Sequence, residues 1–345
     1  MSHQYDVVKE GNNMLSYGII GTSWITEEYI QGAKDTDLWS LTCVYSRTKE
    51  KGEAFAQKHG ATHVFTNLEE MAKSEHLEAV YIASPNAFHY EQTKLFLENG
   101  KHVICEKPLF AQSEKVQELQ NLAKEKGVIF MEAIIFMHLP QRKVLEDALK
   151  TIGKITMVKL DFCQRSSQLD AYLTGAKLPN IFNPAMETGG FMDLGIYCIY
   201  PALFLFGLPQ SVDVQVIMGE SGADLCGTLL LRYPNHLLTI TYSKFAQATQ
   251  NSEFQGTEGT ISVESISRLA NILHTHQGKQ TLLHGEDAKS TLMFHEAKDF
   301  YHFITDLDHY QAEYSTCTTM ALSVATLMEN VRKQAGIVFQ SDINS

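Results

Sequence analysis

The chain has 345 residues, of which 44% are hydrophobic and 20% charged, the composition of a globular protein rather than a fibrous, disordered or membrane chain. The length suggests two domains, with one oversized domain as the less favoured case. Lys and Arg number 28 against 40 Asp and Glu, and the resulting net charge of −12 has the wrong sign for a nucleic-acid or anionic-membrane binder.

Residues 1–13 are polar and lack an apolar signal core, so they read as a disordered extension before a fold that starts at Met14. The longest apolar stretch, 194–208, falls short of the ~20 residues of a membrane span and is interrupted by Pro201, so no transmembrane helix is expected. Six cysteines, Cys43, Cys105, Cys163, Cys198, Cys226 and Cys317, form no Cys-x-x-Cys pair, which disfavours a disulfide framework and a zinc site and fits a reducing cytoplasm.

Short β-branched runs at 15–20, 41–45, 80–83 and 103–105 alternate with helical periodicity at 50–59, 88–98 and 113–126. This is the βαβα signature of a doubly wound parallel sheet, an α/β Rossmann domain over 14–133 whose last strand is 128–133. Pro140 then opens a new helix. From 155 to 284 strands follow one another without intervening helices, at 155–164, 212–218, 225–233, 237–243, 260–263 and 271–276. That pattern predicts an α+β domain over 134–345 with a large, mostly antiparallel sheet. A long polar connection spans 165–188, and two helices, 294–309 and 318–333, close the chain.

The first candidate site is the turn Gly21, Thr22, Ser23, Trp24 and Ile25, which leaves a strand and opens a helix. A dinucleotide pyrophosphate fits there on main-chain N–H groups, although Ser23 and Thr26 stand where a Gly-x-Gly-x-x-Gly fingerprint has its later glycines; a plain strand-to-helix turn is the alternative. At the end of the second strand, where an NAD-preferring fold places an acid, stand Ser46 and Arg47, with Lys51 close behind. A hydroxyl and a guanidinium suit the 2′-phosphate of NADP, with NAD possible; the alternative is a solvated surface arginine.

Ser84, Pro85, Asn86 and His89 follow one strand, and Glu106-Lys107-Pro108 follows the next. With the glycine turn and Gly189-Gly190-Phe191-Met192-Asp193-Leu194-Gly195-Ile196-Tyr197, the chain from Met14 to Phe339 resembles the glucose-fructose oxidoreductase/inositol dehydrogenase (Gfo/Idh/MocA) family. The tyrosine at position 197 resembles the dihydrodiol dehydrogenase and glucose-fructose oxidoreductase branches, where many other members have histidine. The resemblance implies NAD(P)-dependent redox chemistry on a sugar, polyol or cyclic diol. It implies Lys107 polarising the reacting oxygen, Tyr197 relaying the proton and Asp193 orienting substrate hydroxyls. Glu106 would hold local geometry or the nicotinamide region, while Ser84, Asn86 and His89 would contact the cofactor's pyrophosphate and ribose.

Bland alternatives stand beside these roles: a surface lysine, a buried aromatic at 197, and helix caps at Asn86 and Asp193. Four positions separate Asp193 from Tyr197, which on a helix turns both into one cleft. Met137 stands near a position where many relatives have arginine; neighbouring His138 is a candidate to compensate, with a structural histidine at a domain junction as the favoured alternative. His274 and His276 share a strand face without a third ligand at a telling spacing, so no metal is expected. The expected partners are a small-molecule substrate and a second copy of the chain, as a homodimer or dimer of dimers. The rival from another class is a non-catalytic, dinucleotide-sensing regulator of the same fold.

Overall fold

The computed structural model describes residues 14–343; the extension expected over 1–13 lies outside them. Six strands, β1 (Leu15–Ile20), β2 (Trp39–Tyr45), β3 (His63–Phe65), β4 (Ala79–Ile82), β5 (His102–Glu106) and β6 (Phe130–Ala133), form an all-parallel sheet in the order β3-β2-β1-β4-β5-β6. Every residue of β4 is buried, as expected of a central strand covered on both faces. The connecting helices are α1 (Trp24–Asp35), α2 (Lys49–His59), α3 (Leu68–Lys73), α4 (His89–Glu98) and α5 (Ser113–Lys126). Between β1 and β4 the strand order reverses, and a ligand crevice opens at the carboxyl ends of such strands.

After α6 (Gln141–Leu149) the chain enters a second sheet. Its eight strands are β7 (Ile155–Cys163), β8 (Ser211–Met218), β9 (Asp224–Arg232), β10 (Leu237–Ser243), β11 (Ser252–Gly256), β12 (Thr260–Ser265), β13 (Ala270–His276) and β14 (Lys279–His284), in the order β14-β13-β12-β11-β7-β10-β9-β8. The sheet is antiparallel except where β10 runs parallel to β7. Three strands, β3, β11 and β14, are additions to the pattern read from the sequence, being short or rich in polar residues. The connection after β7 carries the short α7 (Leu169–Leu173) and two 3₁₀ turns.

The apolar run over 194–208 becomes α8 (Ile196–Phe206), whose Cys198, Ile199, Ala202 and Leu203 pack into the core under Leu229, Leu231, Leu238 and Ile240. The helical segment Pro184–Phe206 is long and apolar enough by composition to cross a membrane, but most of it is buried inside the protein. All six cysteines are free thiols.

Two long helices, α9 (Lys289–Thr305) and α10 (Leu307–Gln334), return to the first sheet, and the short α11 (Gln340–Ile343) follows. The first of them ends at Thr305 and the second begins at Leu307, eleven residues before the expected Thr318, the added turns being helical because Leu307, Tyr310 and Tyr314 pack. Met293, Ala297, Phe300 and Phe303 of α9 join the core formed by Tyr17, Tyr29, Trp39 and Tyr81, and the Trp39 indole donates to the Ala297 carbonyl at 2.9 Å. A division of the chain at 133/134 therefore separates the two sheets but not the helices around them.

The chain's end also clamps the segment that follows β5. Arg332, 1% exposed, donates to both carboxylate oxygens of Asp342 at 2.5 and 2.7 Å and to the carbonyls of Ile337 and Ala111. Glu329 accepts from the Ser113 N–H and hydroxyl at 2.8 and 2.7 Å. Arg332→Met keeps the aliphatic volume but removes this pinned charge, and is expected to destabilise the protein by about 3 kcal/mol. Chemical denaturation checks this, and an unchanged midpoint would contradict it.

Candidate active site

A cleft of about 480 Å³ opens between the carboxyl edge of the first sheet and the second domain. On the first side it is lined by Trp24, Ile25, Ala83, Ser84, Asn86, Glu106, Lys107, Ala133 and Ile135. From the second come Phe162, Gln164, Asp193, Tyr197, Ser265, Ser267 and Arg268, while Leu292, Met293 and Glu296 of α9 complete the wall.

The turn after β1 is built for close approach. Gly21 has φ +107°, and a Cβ there would stand 2.5 Å from the Ala83 carbonyl oxygen, so only glycine lets β1 and β4 deliver their loops side by side. Ser23 is the N-cap of α1 in extended conformation, yet its side chain does not close the helix's first turn. An anion is the natural partner of a helix start left in this way. This cradle fits a dinucleotide pyrophosphate. Register places Tyr45 beside Ile20, so Ser46 and Gly21 emerge at the same sheet edge. Ser46 is buried and Arg47 and Lys51 are exposed, and none of the three lines the cleft.

Lys107 leaves β5 through a cis Lys107–Pro108 bond. Its Nζ donates to the Asp193 carbonyl at 3.1 Å and to Asp193 Oδ1 at 3.0 Å, and lies 4.6 Å from the centre of the Tyr197 ring. Asp193 sits in a π-helical turn, Phe191–Gly195, that runs directly into α8. Gly189 and Gly190 set this turn down hard on the second sheet: a Cβ on Gly189 would meet Asp224 Oδ1 at 2.1 Å, and one on Gly190 would meet Tyr242 at 2.9 Å. Asp224 in turn accepts the Phe191 N–H at 2.7 Å. The expected spacing holds, and both Asp193 and Tyr197 face the cleft.

A residue without any sequence motif completes the cluster. Lys244, just past β10 and 7% exposed, pairs with Asp193 Oδ2. Asp193 is thus held between two ammonium groups. Burial alone would raise its carboxyl pKa, but Lys107 and Lys244 outweigh that and hold it well below the usual carboxylate range. Burial alone would lower the pKa of Lys107, yet Asp193, Tyr197 and Glu106 together keep it above an ordinary lysine. The Tyr197 phenol is pushed up to about 12, burial outweighing the nearby Lys107.

Other predicted residues have structural work. Glu106 accepts from Tyr81 at 2.6 Å and from the Lys107 N–H at 3.2 Å, and burial raises its pKa. His89 is buried, with both ring nitrogens turned to main-chain carbonyls, Nε2 to Ser84 and Nδ1 to Pro108 and Leu109. It ties the two loops together instead of presenting a nitrogen to a cofactor. Ser84 bonds Gln92, and Asn86 donates to the Glu187 carbonyl across the cleft instead of capping its own helix. Pro85 starts the intervening 3₁₀ turn. Met137 and His138 line a different depression, where His138 pairs with Asp299 at 2.8 Å, so neither replaces an arginine in this cleft. Among the described residues no group of three His, Cys, Asp or Glu is arranged to hold a metal ion.

Comparison with known families matches residues 15–134 to the oxidoreductase family with an NAD-binding Rossmann fold, GFO/IDH/MocA, and residues 145–262 to the GFO/IDH/MocA C-terminal domain. The chain is 40% identical over 330 residues to the scyllo-inositol 2-dehydrogenase (NADP(+)) IolU of Bacillus subtilis, covering 95% of this chain and 99% of that protein. It belongs to the GFO/IDH/MocA oxidoreductases. The trans-1,2-dihydrobenzene-1,2-diol dehydrogenase of Mus musculus is 25% identical over 342 residues, 95% of this chain and 99% of that one. Among solved structures, the 3-ketoreductase KijD10 from Actinomadura kijaniata shares the fold with a TM-score of 0.80 at 20% identity, over 93% of this chain and 98% of that one. The family match and the named dehydrogenase relatives mark an enzyme rather than a non-catalytic sensor.

The pinned carboxylate has a consequence for stability. The folded pKa of Asp193 lies below its unfolded value of about 3.9, so its contribution is complete above roughly pH 5 and fades as pH falls. Asp193→Asn is therefore expected to lower stability at neutral pH and to flatten the acid limb of the stability–pH curve. Denaturant titrations at several pH values check this, and an unaltered acid limb would contradict it.

Proposed function

We propose that this GFO/IDH/MocA oxidoreductase transfers hydride between NADP(H) and a CH–OH carbon of a sugar, polyol or cyclic diol, with cyclic polyols first among them. The observation that carries the reading is the convergence of Lys107, Asp193 and Tyr197 in one cleft beside the Gly21 turn. The named activities of the inositol and dihydrodiol dehydrogenase relatives support the substrate class.

When bound, the nicotinamide supplies the hydride chemistry; the protein supplies position and field. Lys107 places a fixed positive charge and an N–H donor where the substrate oxygen gains negative charge, the interaction that grows towards the transition state. Tyr197 Oη holds the proton that the alcohol loses or the carbonyl gains. Both carboxylate oxygens of Asp193 are engaged by lysines, so its part is to aim Lys107 rather than to orient substrate hydroxyls. Lys244 matters because without it the Lys107–Asp193 pair would carry no net charge. With two lysines sharing one carboxylate, Asp193 neutralises Lys107 less completely than it would in an isolated pair.

Arg47, Ser46 and Lys51 are proposed to bind the 2′-phosphate, a reading supported by the NADP(+)-dependent inositol dehydrogenase. The exposed apolar residues Ile217 and Leu230 on the uncovered face of the second sheet support pairing with a second copy. A cytoplasmic site is part of the same reading.

Two sets of variants test it. Arg47→Ala should cut the preference for NADP(H) over NAD(H) by about tenfold, read by calorimetric titration of both cofactors; equal affinities in the starting protein would overturn the 2′-phosphate assignment. Lys107→Met should abolish turnover of cyclic polyols with cofactor affinity kept within a few-fold. Tyr197→Phe should lower kcat by about 10² to 10⁴. A raised phenol pKa means that the base form grows with pH, so polyol oxidation should accelerate from about pH 7 to 9 in the starting protein and lose that dependence in Tyr197→Phe. Normal turnover and an unchanged pH profile in that variant would assign the proton to another group.

A further inference from the structure

Glu296 takes no part in the chemistry described above, yet it lines the same cleft. It is 1% exposed, and neither carboxylate oxygen has a hydrogen-bond partner. A buried carboxyl group without donors is costly, and a fold keeps one where a ligand supplies them. Its surroundings make the cost worse: burial is the largest influence raising its pKa, followed by the carboxylates of Glu106, Asp299 and Glu132. A bound donor would relieve an arrangement that the protein leaves unsatisfied.

Its place in the fold narrows the ligand. Glu296 lies on α9, four residues from Leu292 and three from Met293, so one helix face carries all three into the cleft. The same helix packs on α1, where Gly32 permits contact: a Cβ there would stand 2.6 Å from Met293 Cβ. The carboxyl group thus shares a wall with Ile25, at the start of α1, and with Glu106, Ala133 and Ile135 at the ends of the first sheet's strands. Apolar Leu292, Met293, Ile25 and Ile135 suit a flat ring, and the carboxyl group is the acceptor for a donor at that ring's edge. The groups that meet the substrate oxygen, Lys107 and Tyr197, are separately tied to Asp193 and Phe162.

We propose that Glu296 accepts a hydrogen bond from the carboxamide N–H group of the bound nicotinamide and thereby fixes which face of the ring is turned to Lys107 and Tyr197. The proposal rests on the dinucleotide reading of the cleft. The carboxamide is the nicotinamide's only N–H donor, and an acceptor fixed in a helix sets the rotation of the ring about its bond to the ribose. Glu296 is in this sense a cofactor-orienting residue that sequence patterns do not reveal, because a glutamate on an amphipathic helix is ordinarily a solvated one.

The experiment compares NADP⁺ with its 3-acetylpyridine analogue, in which a methyl ketone replaces the carboxamide and the N–H donors are gone. Calorimetric titration of the whole protein and of Glu296→Ala and Glu296→Gln gives the affinities. Expected is a loss of about tenfold for NADP⁺ in Glu296→Ala, as for a buried hydrogen bond to the carboxyl group's carbonyl oxygen, with the analogue's affinity unchanged within twofold. Glu296→Gln, whose side-chain carbonyl still accepts, should recover part of the loss for NADP⁺ only. Because the free protein gains nothing from an unpartnered buried carboxyl group, both variants should melt no lower than the starting protein without cofactor. Equal weakening of both ligands, or of neither, would overturn the proposal while leaving the dinucleotide reading intact. A starting protein that binds no NADP⁺ would overturn that reading and this proposal with it.

Discussion

The structure depends on one buried chain of charge, Lys107–Asp193–Lys244. Its members come from three places: the end of β5 in the first sheet, a π-helical turn ahead of α8, and the end of β10 in the second sheet. Taking three charges out of water is expensive, and the expense is tolerable only when each is met by opposite charge at hydrogen-bond distance. The ion chain consequently fixes how the two sheets face each other at the cleft. It also holds the Lys107 ammonium against the Tyr197 ring, with the Glu106 carboxyl group close behind it. Stability and function draw on the same contacts here.

The supports of this chain explain features that otherwise look unrelated. Paired glycines at 189 and 190 are required because the π-helical turn is pressed on Asp224 and Tyr242, which is what brings Asp193 within reach of Lys244. His89 ties Ser84 to the Pro108 and Leu109 carbonyls, so the loop that meets Gly21 and the loop that carries Lys107 move as one body. Arg332 and Glu329, more than two hundred residues further on, hold the continuation of that second loop at Ala111 and Ser113. The helices at the chain's end are therefore part of the site's scaffold.

Much of this was legible in the sequence. The alternation of β-branched runs and amphipathic stretches shows the first sheet because parallel strands and their helices have sharply different periods. The Glu106-Lys107-Pro108 and Gly189–Tyr197 segments were legible through the family resemblance that they carry. Lys244 and Glu296 leave no such trace. Each is a single polar residue whose meaning comes from topology that joins strands and helices distant in sequence. His89 shows a different gap: its place in a motif points to the cleft, which it lines, but its binding of main-chain carbonyls on two loops is invisible in the sequence. Tyr197 was found through the family resemblance of its segment, with its spacing from Asp193 in support, but the sign of its pKa shift depends on burial, which neither discloses.

The central claim is that the cation of Lys107 and the hydroxyl of Tyr197 act together on one substrate oxygen. A crystal structure of the protein with NADP⁺ and a non-turning-over cyclic polyol measures this directly. The account predicts the reacting oxygen within hydrogen-bond reach, about 2.6 to 3.2 Å, of both Lys107 Nζ and Tyr197 Oη, with Asp193 still bound to both lysines. A reacting oxygen bound instead to other groups, with Lys107 and Tyr197 turned away from it, would contradict the account.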